Sequence, residues 1–229
     1  MKKIHRFLIR HPVIDPSVVI EDADLVHLIK NVLKLTTGEE CIVFPDGGDD
    51  HLTSIKTIEK SKIILEVQSI IPKKVVSKDV TACVSITKRD NFEMVVQKLT
   101  ELGIKAITPI ISERTIKQAL KIDRLQKISD EALEQSGGSF RVHISEPKTI
   151  EECLITTKET LSYCFDMDGM KLENTNDKEL AFYIGPEGGW SDGDKELFKK
   201  YNTKVCMLGE TTLRAETAAI VAGYKLLWD

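Results

Sequence analysis

The residues best suited to chemistry stand in two glycine-centred turns late in the chain. They are Gly185-Pro-Glu-Gly-Gly-Trp-Ser191 and Leu208-Gly-Glu-Thr-Thr-Leu-Arg-Ala-Glu-Thr-Ala218. Each follows a short apolar run of strand character and opens into a helix start: Ser191 with Asp194 in the first, Arg214 and Glu216 in the second. Strand, glycine loop and helix together let the main chain touch a small ligand. Gly185, Gly188 and Gly189 carry no side chain and can take backbone angles closed to other residues. The first turn points to a nucleotide-like cofactor without saying which. In the second, Glu216 is favoured by the helix dipole, although Arg214 and Glu216 could equally form a surface ion pair while Gly209 merely turns the chain.

Two further segments have suitable polarity. Ser112-Glu-Arg-Thr115 follows a strand pattern and is a loop able to contact phosphate. In Lys88-Arg-Asp-Asn-Phe-Glu-Met-Val-Val-Gln-Lys-Leu-Thr-Glu-Leu-Gly103, a helix puts Phe92, Val95, Val96, Leu99 and Leu102 on its apolar side. Glu93, Gln97 and Glu101 recur at every fourth position and form a polar face, either beside a site or simply solvated.

Elements of two textures must position these residues. Over the first 72 residues the pattern predicts a strand at 5–10, a helix at 22–33 stopped by Gly38, and strands at 40–44, 51–58 and 62–71 joined by tight turns, hence a small antiparallel barrel holding one helix. Pro72-Lys-Lys ends it, and a linker runs to about Asp79. From Val80, strands at 80–87, 104–111, 141–144, 160–165, 180–184 and 204–208 alternate with helices at 90–102, 122–135, 149–157, 191–201 and 214–228. Continuous apolar strands of this kind build a mostly parallel sheet covered by helices. Ligands of such sheets sit beyond the carboxyl ends of the strands, where both glycine turns fall.

Composition excludes several classes. The 229 residues contain 32 Lys and Arg against 36 Asp and Glu, a net charge of −4, so the body is not one that coats nucleic acid indiscriminately. A local basic face remains possible: Lys2, Lys3, Arg6 and Arg10 cluster at one end, and Lys30 and Lys34 lie a helical turn apart. The five cysteines, Cys41, Cys83, Cys153, Cys164 and Cys206, show neither a metal nor a disulfide spacing and read as core residues. The five histidines lack metal-ligand spacing too. Early charge after Met1 and the lack of a long apolar run predict a cytoplasmic protein with neither signal peptide nor membrane span. An early Gly-x-Gly-x-x-Gly, a Walker-type Gly-Lys-Ser/Thr and a Gly-x-Ser-x-Gly elbow are all missing.

Taken in order, Gln97-Lys-Leu-Thr-Glu-Leu-Gly103, Thr108-Pro-Ile-Ile-Ser-Glu-Arg114, Glu131-Ala-Leu-Glu-Gln-Ser-Gly137, Ile184-Gly-Pro-Glu-Gly-Gly189 and Leu208-Gly with Leu213-Arg-Ala-Glu-Thr-Ala218 resemble the ribosomal RNA small subunit methyltransferase E family of the SPOUT superfamily. His5-Arg-Phe and His27 with Val32-Leu-Lys34 resemble its N-terminal domain. The resemblance implies an α/β protein in which residues 1–72 form a PUA-like RNA-binding β-barrel and residues 80–229 a SPOUT methyltransferase domain with a trefoil knot. It also implies a homodimer, S-adenosylmethionine as cofactor, no metal, and methylation of uridine N3 in the decoding region of 16S rRNA. The cofactor would lie against Phe165, Ile184, Gly185, Glu187, Gly188, Gly189, Leu208, Gly209 and Leu213, with Leu208 and Leu213 as apolar walls for the adenine, Phe165-Asp166-Met167 as the third wall, and Glu187 holding the shape of its loop. Arg214 would stabilise charge developing on the base or bind its phosphate, and Glu216 would orient Arg214 or serve as base. Arg6, Arg10, Lys34, Arg89 and Arg114 would contact RNA phosphates. Two neighbouring readings stay open: a related SPOUT methyltransferase acting on another RNA site, and a non-catalytic RNA-binding assembly protein. The chain departs from the family pattern at Thr211-Thr212, where an arginine and an aliphatic residue are usual. It departs again at Asn91 and Gly138, both usually arginine, and at Leu125, often tryptophan.

Overall fold

A computed structural model describes residues 4–14, 16–73 and 76–229; Lys2 and Lys3 lie outside them. The chain forms two compact units, Met1–Val75 with Glu134–Arg141, and Val76–Leu133 with Val142–Asp229.

The first unit contains β1 (His5–Ile9), β2 (Ser17–Ile20), α1 (Ala23–His27), β3 (Glu40–Pro45), β4 (Asp50–Ile58) and β5 (Ile63–Ile71). Its five-stranded sheet runs β1-β3-β4-β5-β2. The sheet is mixed, not antiparallel throughout, because β1 pairs with β3 in parallel while the remaining pairs are antiparallel. A parallel pair needs a long crossover, and here β2 and α1 fill it. Only four residues long, β2 escaped the periodicity reading. Asp22 caps α1 by accepting from the Asp24 and Leu25 N–H groups at 3.1 Å. The helix then widens into a π-turn over Leu28–Val32, in which the Leu33 N–H donates to Leu28 O at 2.9 Å. Lys34 closes it with a φ of 53°, so the stop comes four residues before the expected Gly38. Phe7, Ile9, Val18, Ile20, Val26, Ile29, Cys41, Val43 and Leu65 form the core.

The second unit follows the expected alternation: β6 (Asp79–Ser85), α2 (Arg89–Leu102), β7 (Ala106–Ile111), α3 (Ile122–Ser136, its last residues in the first unit), β8 (His143–Ile144), β9 (Lys148–Thr149), α4 (Ile150–Thr156), β10 (Leu161–Lys171), β11 (Glu179–Ile184), α5 (Asp192–Lys200), β12 (Lys204–Met207) and α6 (Ala215–Trp228). The sheet runs β12-β10-β11-β6-β7-β8, with β9 also on β7, and every pair in it is parallel. Strand alternation sorts side chains onto two covered faces. Leu180, Phe182 and Ile184 of β11 join Val80, Ala82 and Val84 of β6 against Phe92, Val95 and Leu99 of α2 and Ala219, Ala222 and Leu226 of α6. The intervening Ala181 and Tyr183 join Cys83 and Cys164 against Ile150 and Leu154 of α4 and Phe198 of α5. All five cysteines are buried, as expected of core residues. The nearby Cys153 thiol and burial push the Cys83 thiol well up. No helix among the described residues is long and apolar enough to cross a membrane.

Candidate active site

Three adjacent strands deliver the site. In sequence the chain passes β10, β11, β12; in space β10 lies between the other two. Their carboxyl ends therefore meet at a switch point of the parallel sheet, where the loops diverge and leave a crevice. A cavity of about 360 Å³ opens there. Phe165, Asp166 and Met167 come from β10, Ile184 to Glu187 with Gly189 and Trp190 from the turn after β11, and Leu208 and Thr211 to Ala215 with Ala218 from the turn after β12 and the start of α6.

The first turn is built by packing. Gly189 has a φ of 69°, open to glycine at little cost, and its N–H donates to Pro186 O at 2.8 Å. A β-carbon on Gly185 would fall 3.1 Å from the Trp190 indole. That ring cannot easily retreat, because its Nε1–H donates to Phe165 O at 3.1 Å and its face meets Phe198 edge-on. The indole thereby fastens the turn after β11 to the end of β10. Arg114, from the loop after β7, donates to Gly188 O at 3.0 Å and Trp190 O at 3.3 Å. Ser191 and Asp194 close the turn with the expected capping pair, each side chain accepting from the other's N–H at 3.1 and 3.0 Å.

Of the residues expected at the cofactor, Phe165, Ile184, Gly185, Glu187, Gly189, Leu208 and Leu213 line the cavity, together with Arg214. Gly188 and Gly209 do not. Glu187 has another part than holding its loop: the turn is held by Arg114 and the Gly189 N–H, and the Glu187 carboxylate stands exposed at the cavity. Glu216 is the larger correction. It is buried in the first turn of α6, outside the cavity wall and without an ion pair to Arg214. Arg214 is the N-cap residue, with extended backbone at φ −64° and ψ 152°, while within the helix Ala215 and Ala218 face the cavity and residue 216, at 100° per residue, turns away from that side. It can neither orient Arg214 directly nor reach a substrate in this cavity. Arg214 itself is exposed and has no acidic partner among the described residues.

The expected phosphate contacts divide. Arg6 does not fit that role: its guanidinium pairs with both oxygens of Asp50 at 2.9 and 2.6 Å, donates to Gly138 O at 2.7 Å and stacks on Phe44 at 3.5 Å. It is a core fastener of the first unit. Arg10, Lys34, Arg89 and Arg114 are exposed. In α2, Glu93 is committed to Arg124, whose guanidinium bonds hold its carboxyl below the usual range, and Glu101 to Lys98. Neither faces the cavity.

Asp166 and Met167 line the wall beside Phe165, as the resemblance implies, whereas sequence reasoning did not assign Pro186, Trp190, Ala215 or Ala218 to it. Thr211 and Thr212, noted only as departures, are wall residues.

An RNA methyltransferase domain family matches residues 75–226. The chain is 31% identical over 206 residues to the ribosomal RNA small subunit methyltransferase E of Rickettsia conorii, covering 86% of this chain and 84% of the relative. Among solved structures, the enzyme of that name from Neisseria gonorrhoeae, bound to S-adenosyl methionine, superposes with a TM-score of 0.90 at 27% identity, covering 99% and 98% of the two chains. A Legionella pneumophila methyltransferase with the same bound cofactor gives 0.87 at 25% identity, covering 98% and 97%. The motif order, the switch-point cavity and this whole-length agreement have one meaning: the chain belongs to the ribosomal RNA small subunit methyltransferase E family.

Proposed function

We propose that this protein is a cytoplasmic methyltransferase that uses S-adenosylmethionine to methylate N3 of a uridine in the decoding region of 16S rRNA. The observation that carries this reading is the chemistry of the cavity wall. Its volume lies within the roughly 300–1,000 Å³ of small-molecule sites. Phe165, Ile184, Leu208 and Leu213 offer apolar surfaces to a planar base, while the exposed Glu187 offers a carboxylate to the cationic groups of an amino acid carrying a sulfonium. Ala215 brings the positive end of α6 to the same wall, where a carboxylate is favoured. These residues fit the cofactor.

When bound, S-adenosylmethionine supplies an electrophilic methyl group. The chain's own task is to hold the uracil in line with it and to ease the loss of the N3 proton, since N3 is a poor nucleophile until that proton leaves. Arg214, exposed and unpaired at the cavity, is placed to stabilise negative charge spreading over the base. Lys88 and Arg89 after β6 and Arg114 after β7 add exposed cations at the same carboxyl edge of the sheet, a local basic rim on an acidic chain. Arg10 and Lys34 belong to the first unit, read as a PUA-like RNA-binding module. Phosphate contacts of this kind fix register and weaken steeply with salt.

Two features support the rest of the family reading. A β-carbon on Gly169 would lie 2.4 Å from the Cys206 backbone, so the extension of β10 runs tightly against β12, a close approach that a knotted passage of these strands would use. Helix α6 is apolar nearly all round: one side packs on α2 and the sheet, yet the other leaves Tyr224 and Trp228 52% and 57% exposed. A helix of this type is a buried one, and a second copy of the chain is the cover that a homodimer supplies.

The test is mass mapping of 16S rRNA from cells lacking the protein, followed by remethylation with the purified chain. A missing uridine N3 methyl restored by the chain supports the reading. A missing methyl at another nucleotide moves the target, and Thr211, where the family pattern expects arginine, is the wall residue to test then. Failure to restore any methyl in the presence of cofactor favours a non-catalytic assembly protein.

A further inference from the structure

Asp166 lines the cavity wall, and its carboxylate has so far been given no contact with the ligand. It stands at the end of the paired stretch of β10, directly after the apolar wall residue Phe165. Its carboxylate is fixed from two sides. One oxygen lies 2.9 Å from Lys195 Nζ on α5, and the other accepts from the Asp168 N–H at 3.3 Å. The same ammonium reaches Asp168 at 3.4 Å, and its bond to Asp166 raises its pKa. The Asp166 side chain is 17% exposed and faces the cavity side of this arrangement.

A carboxylate has about four lone-pair sites, and two of these are occupied. What remains is an acceptor pair of fixed orientation beside an apolar slot for a base. A cationic partner gains little there, because Lys195 already neutralises the charge; an anionic partner is repelled. A neutral donor with two adjacent hydroxyls satisfies the site, as acidic residues at strand ends do for ribose in other doubly wound sheets.

We propose that Asp166, positioned by Lys195, accepts hydrogen bonds from the two ribose hydroxyls of the cofactor and so selects a ribonucleoside donor. The proposal rests on the reading of the cavity as a methyl-donor site. Calorimetric titration of the full chain with S-adenosylhomocysteine and with its 2′,3′-dideoxy counterpart tests it. The wild-type chain is expected to bind the dideoxy compound roughly 10- to 150-fold more weakly, the loss that follows from hydrogen bonds to a charged group. In Asp166→Ala that discrimination is expected to collapse. Lys195→Met is expected to reduce it, and Lys195→Arg to keep it. Equal binding of the two compounds by the wild-type chain overturns the proposal, and so does undiminished discrimination in Asp166→Ala. If that variant does not fold, Asp166→Leu, of similar size and with no acceptor, serves in its place with the same two outcomes. Binding of neither compound by the wild-type chain overturns the methyl-donor reading as well.

Discussion

Arg214 and Glu216 stand two positions apart and have opposite fates, because Arg214 caps α6 from extended backbone at the cavity whereas Glu216 is buried in the first turn of the helix. Replacing Arg214 by alanine is expected to lower kcat for methyl transfer about 100-fold or more, the scale of losing one preorganised stabiliser of developing charge. Donor affinity measured by calorimetry is expected to change far less; a change confined to affinity assigns Arg214 to the cofactor. Glu216→Gln is expected to leave kcat within several-fold of the wild type, and a thousand-fold loss in steady-state assays would falsify its placement outside the chemistry. At Gly185 the constraint is space. Alanine there drives a β-carbon toward the Trp190 indole, which its bond to Phe165 O holds in place. Overpacking of this kind costs about 1–3 kcal/mol, read by chemical denaturation and by a shift in tryptophan emission.

At the scale of elements, the site depends on how its turns are tied down. Ser191 and Asp194 cap α5 with both side chains buried, so Ser191→Ala removes an acceptor from the orphan amides of the helix start. A loss of about 1 kcal/mol in unfolding free energy is expected by urea titration. Most elements of the second unit were legible because their signals are local: capping pairs, a left-handed Gly103 after α2, unbroken apolar runs in the strands. The misses have physical reasons. Asp166 to Lys171 continue β10 well past the expected end at 165, although their aspartates and glycine carry no strand pattern; β12 beside them supplies the pairing. Short β2 is a strand because β5 pairs with it, and the π-turn after α1 shares its apolar pattern with an ordinary helix.

For the whole molecule, the exposed side of α6 is the feature that an isolated chain leaves unfinished. Tyr224→Asp combined with Trp228→Asp is expected to convert a dimer to a monomer in sedimentation equilibrium while far-ultraviolet dichroism stays unchanged. A wild-type chain that sediments as a monomer removes the homodimer. The sequence by itself determined the mixed texture of the chain, the parallel α/β arrangement of the later residues, the two glycine turns and, through five ordered motifs, the family. Each of these is written in neighbouring residues, where propensity, periodicity and steric limits act directly. Tertiary structure decided which residues meet. It committed Arg6 to Asp50 and Gly138, turned Glu216 away, set Trp190 against Gly185 and brought Lys195 to Asp166 across 29 positions of sequence. Long-range pairing depends on sheet order and helix rotation, which no local pattern specifies. The chemistry of the cavity is therefore assembled by packing from residues whose types alone left several roles open.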